Sequence, residues 1–148
     1  MIERCTSAEH AGWLELRDAL WPQPRAVQLA EMAAITAEPR RYAAFVAYSN
    51  HGEPAGFAEA ALRTDYVNGA QSSPVAFLEG LYVAPRARRQ GVGRALVAEV
   101  CSWAHDAGCS EVASDALLGN EASQAVHRAL GFAETERVVF YRKPQGQA

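Results

Sequence analysis

The chain has few cysteines and none of the runs that build membrane or secreted proteins. Cys5, Cys101 and Cys109 are an odd number with no Cys-x-x-Cys spacing. That argues against a disulfide framework or a zinc site and suits reduced thiols, and no bound metal is expected. No apolar run approaches the roughly 18–20 residues of a membrane span. The opening Met1-Ile2-Glu3-Arg4 lacks the basic and apolar regions of a signal peptide, so a cytoplasmic protein with no membrane partner is expected. Positive charge is not in excess: 14 Lys and Arg stand against 17 Asp and Glu, a net charge of −3. A nucleic-acid partner, which wants a basic surface, is therefore not expected, whereas a cationic substrate is permitted. Repeats, low-complexity tracts and an interdomain linker are also missing. What remains is 148 residues, 49% apolar and 21% charged, read as one domain over residues 1–148 with room for a real core.

Apolar periodicity gives the element order. A short strand is expected at residues 2–5. Thr6-Ser7-Ala8-Glu9 has the capping-box pattern, which predicts a helix from there to about Leu20, broken by Trp21-Pro22-Gln23-Pro24. A second helix is expected over residues 25–37 and a strand over 42–48. Turn residues at 50–53 then lead into a strand over 55–63. Residues 64–74 are polar and irregular. A strand is predicted at 75–83, a helix at 91–107, a short strand at 111–115, a helix at 120–130 and a final strand or two at 132–142. The order β-αα-βββ-α-β-α-β describes a mixed α/β sheet.

The segment Arg88-Arg89-Gln90-Gly91-Val92-Gly93 stands between the strand at 75–83 and the helix that follows. Such a turn directs free backbone N–H groups and the positive helix end at one place, glycine permits close approach, and arginines add full charge. The combination suits a pyrophosphate. A Walker A loop is rejected because no Lys-Ser or Lys-Thr follows the glycines, and a dinucleotide fingerprint because its third glycine position is Leu96. The same turn could also be an ordinary basic helix start.

The spacing Arg88-x-x-Gly91-x-Gly93 resembles the coenzyme A pyrophosphate loop of the GNAT superfamily of N-acetyltransferases, and the element order matches that fold. Ala129-Leu130-Gly131-Phe132 resembles the end of the superfamily's coenzyme-binding helix. Within the superfamily, further segments are similar to the aminoglycoside 6'-N-acetyltransferases of Gram-negative bacteria. They are Trp21-Pro22, Asp65-Tyr66-Val67-Asn68-Gly69, Ser72-Ser73-Pro74-Val75, Phe77-Leu78-Glu79-Gly80, Ala113-Ser114-Asp115 and Glu134-Thr135-Glu136-Arg137-Val138. The resemblance is dense from about Leu62 to Lys143 and thinner before that. It implies the GNAT acyl-CoA N-acyltransferase fold, a mixed, mostly antiparallel sheet flanked by helices. It also implies acetyl-CoA as co-substrate, an aminoglycoside as substrate, antibiotic resistance as the consequence, and a homodimer. Rival readings are a GNAT enzyme for another small amine or a peptide N-terminus, and a non-catalytic coenzyme A-binding sensor.

Several residues carry two readings. Strand alternation places Phe77, Glu79, Leu81 and Val83 on one face. A carboxylate in that company needs a partner, so Glu79 reads plainly as salt-bridged or edge-exposed. Asp115 reads as a turn or cap residue, Glu136 as a solvated strand face, and Trp21 and Tyr66 as packing aromatics. The resemblance instead implies that Trp21, Tyr66, Glu79, Asp115 and Glu136 bind the aminoglycoside, whose ammonium groups suit carboxylates and aromatic faces. Amide formation needs a neutral amine, so a base must take the ammonium proton. Glu79 is the first choice and Asp115 the second. Backbone N–H groups near Leu81, Tyr82 and Val83 would stabilise the oxyanion and pair with the pantetheine arm. Arg89, Gln90, Gly91, Val92, Gly93 and Arg94 would bind the pyrophosphate, and Asn120 a coenzyme atom. Many GNAT enzymes carry a tyrosine where this chain has His127. That histidine could donate a proton to the leaving thiolate, or sit on the helix as a surface residue or simple coenzyme contact. Direct transfer in a ternary complex is expected rather than a cysteine acyl-enzyme.

Overall fold

The centre of the fold is three antiparallel strands: β2 (Tyr42–Tyr48), β3 (Pro54–Arg63) and β4 (Val75–Val83). The computed structural model describes residues 1–146. β2 and β3 are linked by a turn in which Ser49 Oγ accepts from the backbone N–H groups of His51 and Glu53, both at 3.2 Å. β1 (Ile2–Arg4) adds antiparallel to β2, and the two-residue β5 (Val112–Ala113) adds parallel to β4, giving the order β1-β2-β3-β4-β5.

The interiors of β2 and β3 are buried throughout, because both faces of the sheet are covered. On one face α1 (Trp13–Leu20) and α2 (Arg25–Ala37) pack Trp13, Leu16 and Met32 against Ala44, Val46 and Phe57. Trp13, Met32 and Phe57 are fully buried, and each side chain so removed from water contributes about 1.5–3 kcal/mol. On the other face α3 (Val92–Asp106) lies over β2, β3 and β4. Ala76 packs there with Ala104 and Cys109.

By its contacts the chain divides into two compact units, Met1–Asp115 and Ala116–Ala148. The second contains α4 (Glu121–Ala129), whose N-cap Asn120 accepts from Ser123 N–H at 3.0 Å. Gly131, at φ 92°, ends the helix just past its C-cap Leu130.

Three expectations need correction. Helix α1 does not begin at Thr6. Gly12 adopts φ 83° and the helix starts at Trp13, while Ser7 rather than Thr6 accepts the local bond, from Glu9 N–H at 3.2 Å. The left-handed glycine interrupts what would have been one continuous helix. The strand expected at 111–115 shrinks to Val112–Ala113. No strand forms among the described residues 132–146, where Val139, Phe140 and Tyr141 are 75%, 82% and 91% exposed. Strand-forming sequence there has no neighbouring strand to complete its hydrogen bonds. Among the described residues, no helix is long and apolar enough to cross a membrane.

Candidate active site

The β3–β4 pairing carries one irregularity, and it shapes the site. Glu59 faces Gly80, but the next residue, Ala60, faces Leu78, so Glu79 is left out of the register as a β-bulge. The strand alternation slips there. Phe77 shares the α1/α2 face with Ala61, and Gly80 and Tyr82 share it with Glu59 and Phe57. Leu81 and Val83, opposite Ala58 and Gly56, are turned to the α3 face. The expected single face of Phe77, Glu79, Leu81 and Val83 is therefore split by an extra residue that periodicity alone does not reveal.

Beside the bulge lies a cleft of about 600 Å³ lined by Trp21, Glu31, Glu59 and Glu79, with Arg17 and Gln23 behind them. Trp21 follows α1 as its C-cap at φ -128° and ψ 79°, outside the helical region that a residue before proline avoids. Its indole sits directly on Gly80, where an added Cβ would lie 2.3 Å from the ring. Phe57 meets the indole edge-on, with centroids 5.7 Å apart, and the Arg17 guanidinium lies 5.1 Å from the ring centroid.

Behind the cleft is a buried ionic network. Arg17 and Glu59 are 3% and 4% exposed. Arg17 Nε donates to Glu59 Oε2 at 2.6 Å and Nη2 to Oε1 at 3.2 Å, a two-pronged pair. Trp13 Nε1 donates to the same carboxylate at 2.9 Å. Arg17 Nη1 also reaches Gln28 Oε1 at 2.5 Å and Glu31 Oε2 at 2.9 Å. Gln28 in turn donates to the Trp21 carbonyl at 2.7 Å. Burial works against the Arg17 charge, but Glu59 and then Glu31 more than offset it, so its pKa is raised above the usual value. Sequence reasoning missed Arg17, Glu31 and Glu59. The signal was present: Glu59 is the one acid of the apolar strand β3, and Arg17 falls four residues after Trp13 on the apolar stripe of α1.

Glu79 is half-exposed at the cleft and accepts from Arg63 Nη2 at 2.7 Å. Asp115 is exposed just beyond β5. The preceding Ser114 donates to the Leu78 carbonyl at 3.3 Å. Tyr66, 77% exposed, lines a separate concavity of about 350 Å³ formed by the 64–73 loop. Trp21 and Glu79 thus share the cleft beside the bulge, and Tyr66 stands on the 64–73 loop.

β5 leaves β4 after Phe77, so the outer edge at Leu81, Tyr82 and Val83 has no strand beside it among the described residues. The Arg88 Nε–H donates to the Val83 carbonyl at 3.0 Å. The chain then turns through Pro85–Ala87, Arg89 at φ 62° and Gly91 at φ 81° into α3. Gly91 offers no side-chain cap, so the first-turn N–H groups of Val92 and Gly93 are left for another acceptor. Arg86 is spent on Glu53 and the Pro54 carbonyl, whereas Arg89 is exposed and unpaired among the described residues. These features fit an anion such as a pyrophosphate.

In the second unit, Asn120 caps α4 with its side-chain oxygen. His127 Nδ1 donates to the Ser123 carbonyl at 2.7 Å, which assigns its neutral-form proton to Nδ1, and its ring meets Phe132 edge-on at 5.4 Å. Glu136 is exposed on an irregular segment, not on a strand, next to the Glu134–Arg137 ion pair that holds the Glu134 carboxyl below its usual range. Among the described residues no group of three or more His, Cys, Asp or Glu could hold a metal ion.

Residues 13–132 match the acetyltransferase (GNAT) family model. Over 147 residues the chain is 55% identical to an aminoglycoside N(6')-acetyltransferase type 1 of Serratia marcescens, covering 99% of this chain and 100% of the relative. A Stenotrophomonas maltophilia protein of the same name is 50% identical, with 97% and 92% covered. Among solved structures, AAC(6')-Iy in complex with the bisubstrate analogue CoA-S-monomethyl-acetylneamine superimposes with a TM-score of 0.89 at 47% identity, covering 97% of each chain. The aminoglycoside 6'-N-acetyltransferase AAC(6')-Ih of Acinetobacter baumannii gives 0.94 at 43% identity, covering 99% of each.

Proposed function

Since the chain belongs to the GNAT family of acetyltransferases, we propose that it transfers the acetyl group of acetyl-CoA to the 6'-amine of aminoglycosides, and so confers resistance to them. The observation that carries this reading is the carboxylate-lined cleft beside the β4 bulge, with Trp21 seated on Gly80 and Glu79 set out of register. A polyammonium sugar suits that lining: carboxylates give charge-assisted hydrogen bonds and steer the cation, and the indole face suits a sugar ring.

The chemistry then follows from the charge state of the amine. A primary ammonium titrates well above neutrality and cannot attack until it loses a proton. The Glu79 carboxylate accepts that proton, directly or through water, with Asp115 as the second candidate. The neutral amine attacks the thioester carbonyl carbon. The oxygen becomes an oxyanion that backbone N–H groups around Leu81, Tyr82 and Val83 stabilise. Collapse breaks the carbon–sulfur bond, and the second proton of the new amide nitrogen ends on the departing thiolate. No cysteine is acylated. Residues 89–94 hold the pyrophosphate and the open β4 edge holds the pantetheine arm. By resemblance Asn120 contacts the coenzyme, and Tyr66, Asp115 and Glu136 contact the aminoglycoside.

We read residues 1–148 as one acetyltransferase domain, cytoplasmic in keeping with its thiol cysteines, and as a homodimer in which the exposed 138–141 segment pairs with a second copy. Light scattering should give about twice the 16.0 kDa chain mass; that mass itself at micromolar concentration would refute the dimer. The activity is tested by thiol release from acetyl-CoA with a 6'-amino drug (tobramycin or kanamycin A) and a 6'-hydroxyl drug (paromomycin). Only the first should turn over. Turnover of both would move acetylation to another amine, and turnover of neither would end the aminoglycoside reading. Glu79→Gln should lower kcat by about 10²–10⁴-fold if Glu79 is the base; Asp115→Asn taking that loss instead would exchange their roles.

A further inference from the structure

Glu79 stands on a bulge, where the strand ladder does not fix it, and a glutamate has three rotatable bonds. Among the described residues one hydrogen bond holds its carboxylate: Arg63 Nη2 donates to Oε1 at 2.7 Å. Oε2 has no protein partner among the described residues. Arg63 is itself well placed to hold it. It closes β3, in register with Val75, and its guanidinium carbon lies 3.9 Å from the Phe77 ring centroid. Arg63 is thus anchored on the strand that carries Glu79, two residues before the bulge.

The same cation has an opposite consequence. Arg17 is consumed by Glu59 and Glu31 behind the cleft, so its charge is neutralised within the buried network. Arg63 is half-exposed beside Glu79. An incoming ammonium therefore meets a cation already paired with the carboxylate it must approach.

Building on the acetyltransferase reading above, we propose that Arg63 is a positioning residue for the reaction. It pins one oxygen of Glu79 so that the other faces the amine, and it weakens the binding of cationic substrates in doing so. Orientation acts on turnover, since a misplaced reacting group costs up to about 100-fold. Like-charge repulsion between exposed groups acts on binding, by about two- to five-fold.

The experiment is steady-state acetylation of a 6'-amino aminoglycoside by the full chain and by Arg63→Ala and Arg63→Lys. Arg63→Ala should lower kcat by about 10–100-fold and also lower KM by about two- to five-fold. Arg63→Lys keeps the charge but not the planar fork; it should keep the parental KM and recover part of kcat. A purely structural role would raise KM or leave both constants alone. Unchanged kcat in Arg63→Ala, or a raised KM, overturns the proposal while the parental activity stands. An inactive parent overturns the acetyltransferase reading and this inference with it, so the two failures are told apart before any variant is made.

Discussion

Replacing Arg17 with methionine should cost more stability than any exposed substitution in this protein. The variant keeps an unbranched apolar stem but removes the guanidinium that joins α1, α2 and β3. Glu59, 4% exposed, would be left, among the described residues, with the Trp13 indole N–H at 2.9 Å as its donor. Gln28 Oε1 would lose its donor as well. Removing one partner of a buried ion pair costs about 3–5 kcal/mol, and for a chain of this size each kcal/mol is worth roughly 2–4 °C of melting temperature. The expected fall is therefore roughly 6–20 °C. Glu59→Gln should cost less, about 1–3 kcal/mol, because the amide still accepts one bond and Glu31 still neutralises Arg17 at 2.9 Å. The double variant leaves no buried charge unpaired, so its loss should fall short of the sum by about 1–3 kcal/mol. Urea unfolding followed by tryptophan fluorescence measures all three, since Trp13 and Trp21 both touch the network. A loss under about 1 kcal/mol for Arg17→Met, or additivity within about 0.5 kcal/mol, would show that the network does not hold these elements together.

Gly80→Ala should displace the Trp21 ring, which a Cβ would approach to 2.3 Å. We expect about 1–3 kcal/mol of lost stability with a raised KM for aminoglycoside; unchanged stability and KM would mean the indole has another seat. At alkaline pH, burial and then the charge of Glu59 push the Cys5 thiol up to about 12, and burial and then the charge of Glu3 push the Tyr48 phenol up to about 12. An acid whose folded pKa is raised binds its proton more tightly when folded. Stability should therefore be flat below about pH 9 and fall from there to about pH 12, at about 1.4 kcal/mol per pH unit for each proton. Cys5→Ala should flatten the first part of that fall, and an unaltered slope would count against the assignment. In the native protein at pH 8, iodoacetamide should label the exposed Cys101 and spare the buried Cys5 and Cys109; mass spectrometry of labelled peptides reads this directly.

The amino-acid sequence by itself determined whatever depends on neighbours along the chain. Apolar periodicity set β2, β4 and α2 with their observed ends, because side-chain alternation and helical spacing are local properties. The basic glycine turn before a helix was legible for the same reason: Gly91 and the α3 start lie next to each other in the chain. Glu79 stood out as an acid within an apolar strand. Tertiary structure decided the rest. The slip that sets Glu79 out of register and turns Leu81 and Val83 to the other face exists only as a mismatch with β3. Arg17 finds Glu59 across 42 residues, and Arg63 finds Glu79 across 16. Such a pair is fixed by where folding brings two chain segments together, and no window of sequence contains both. The apolar 138–141 segment makes the same point in reverse. Its composition suits a strand, yet a strand needs a partner's hydrogen bonds, and its own sequence cannot supply them.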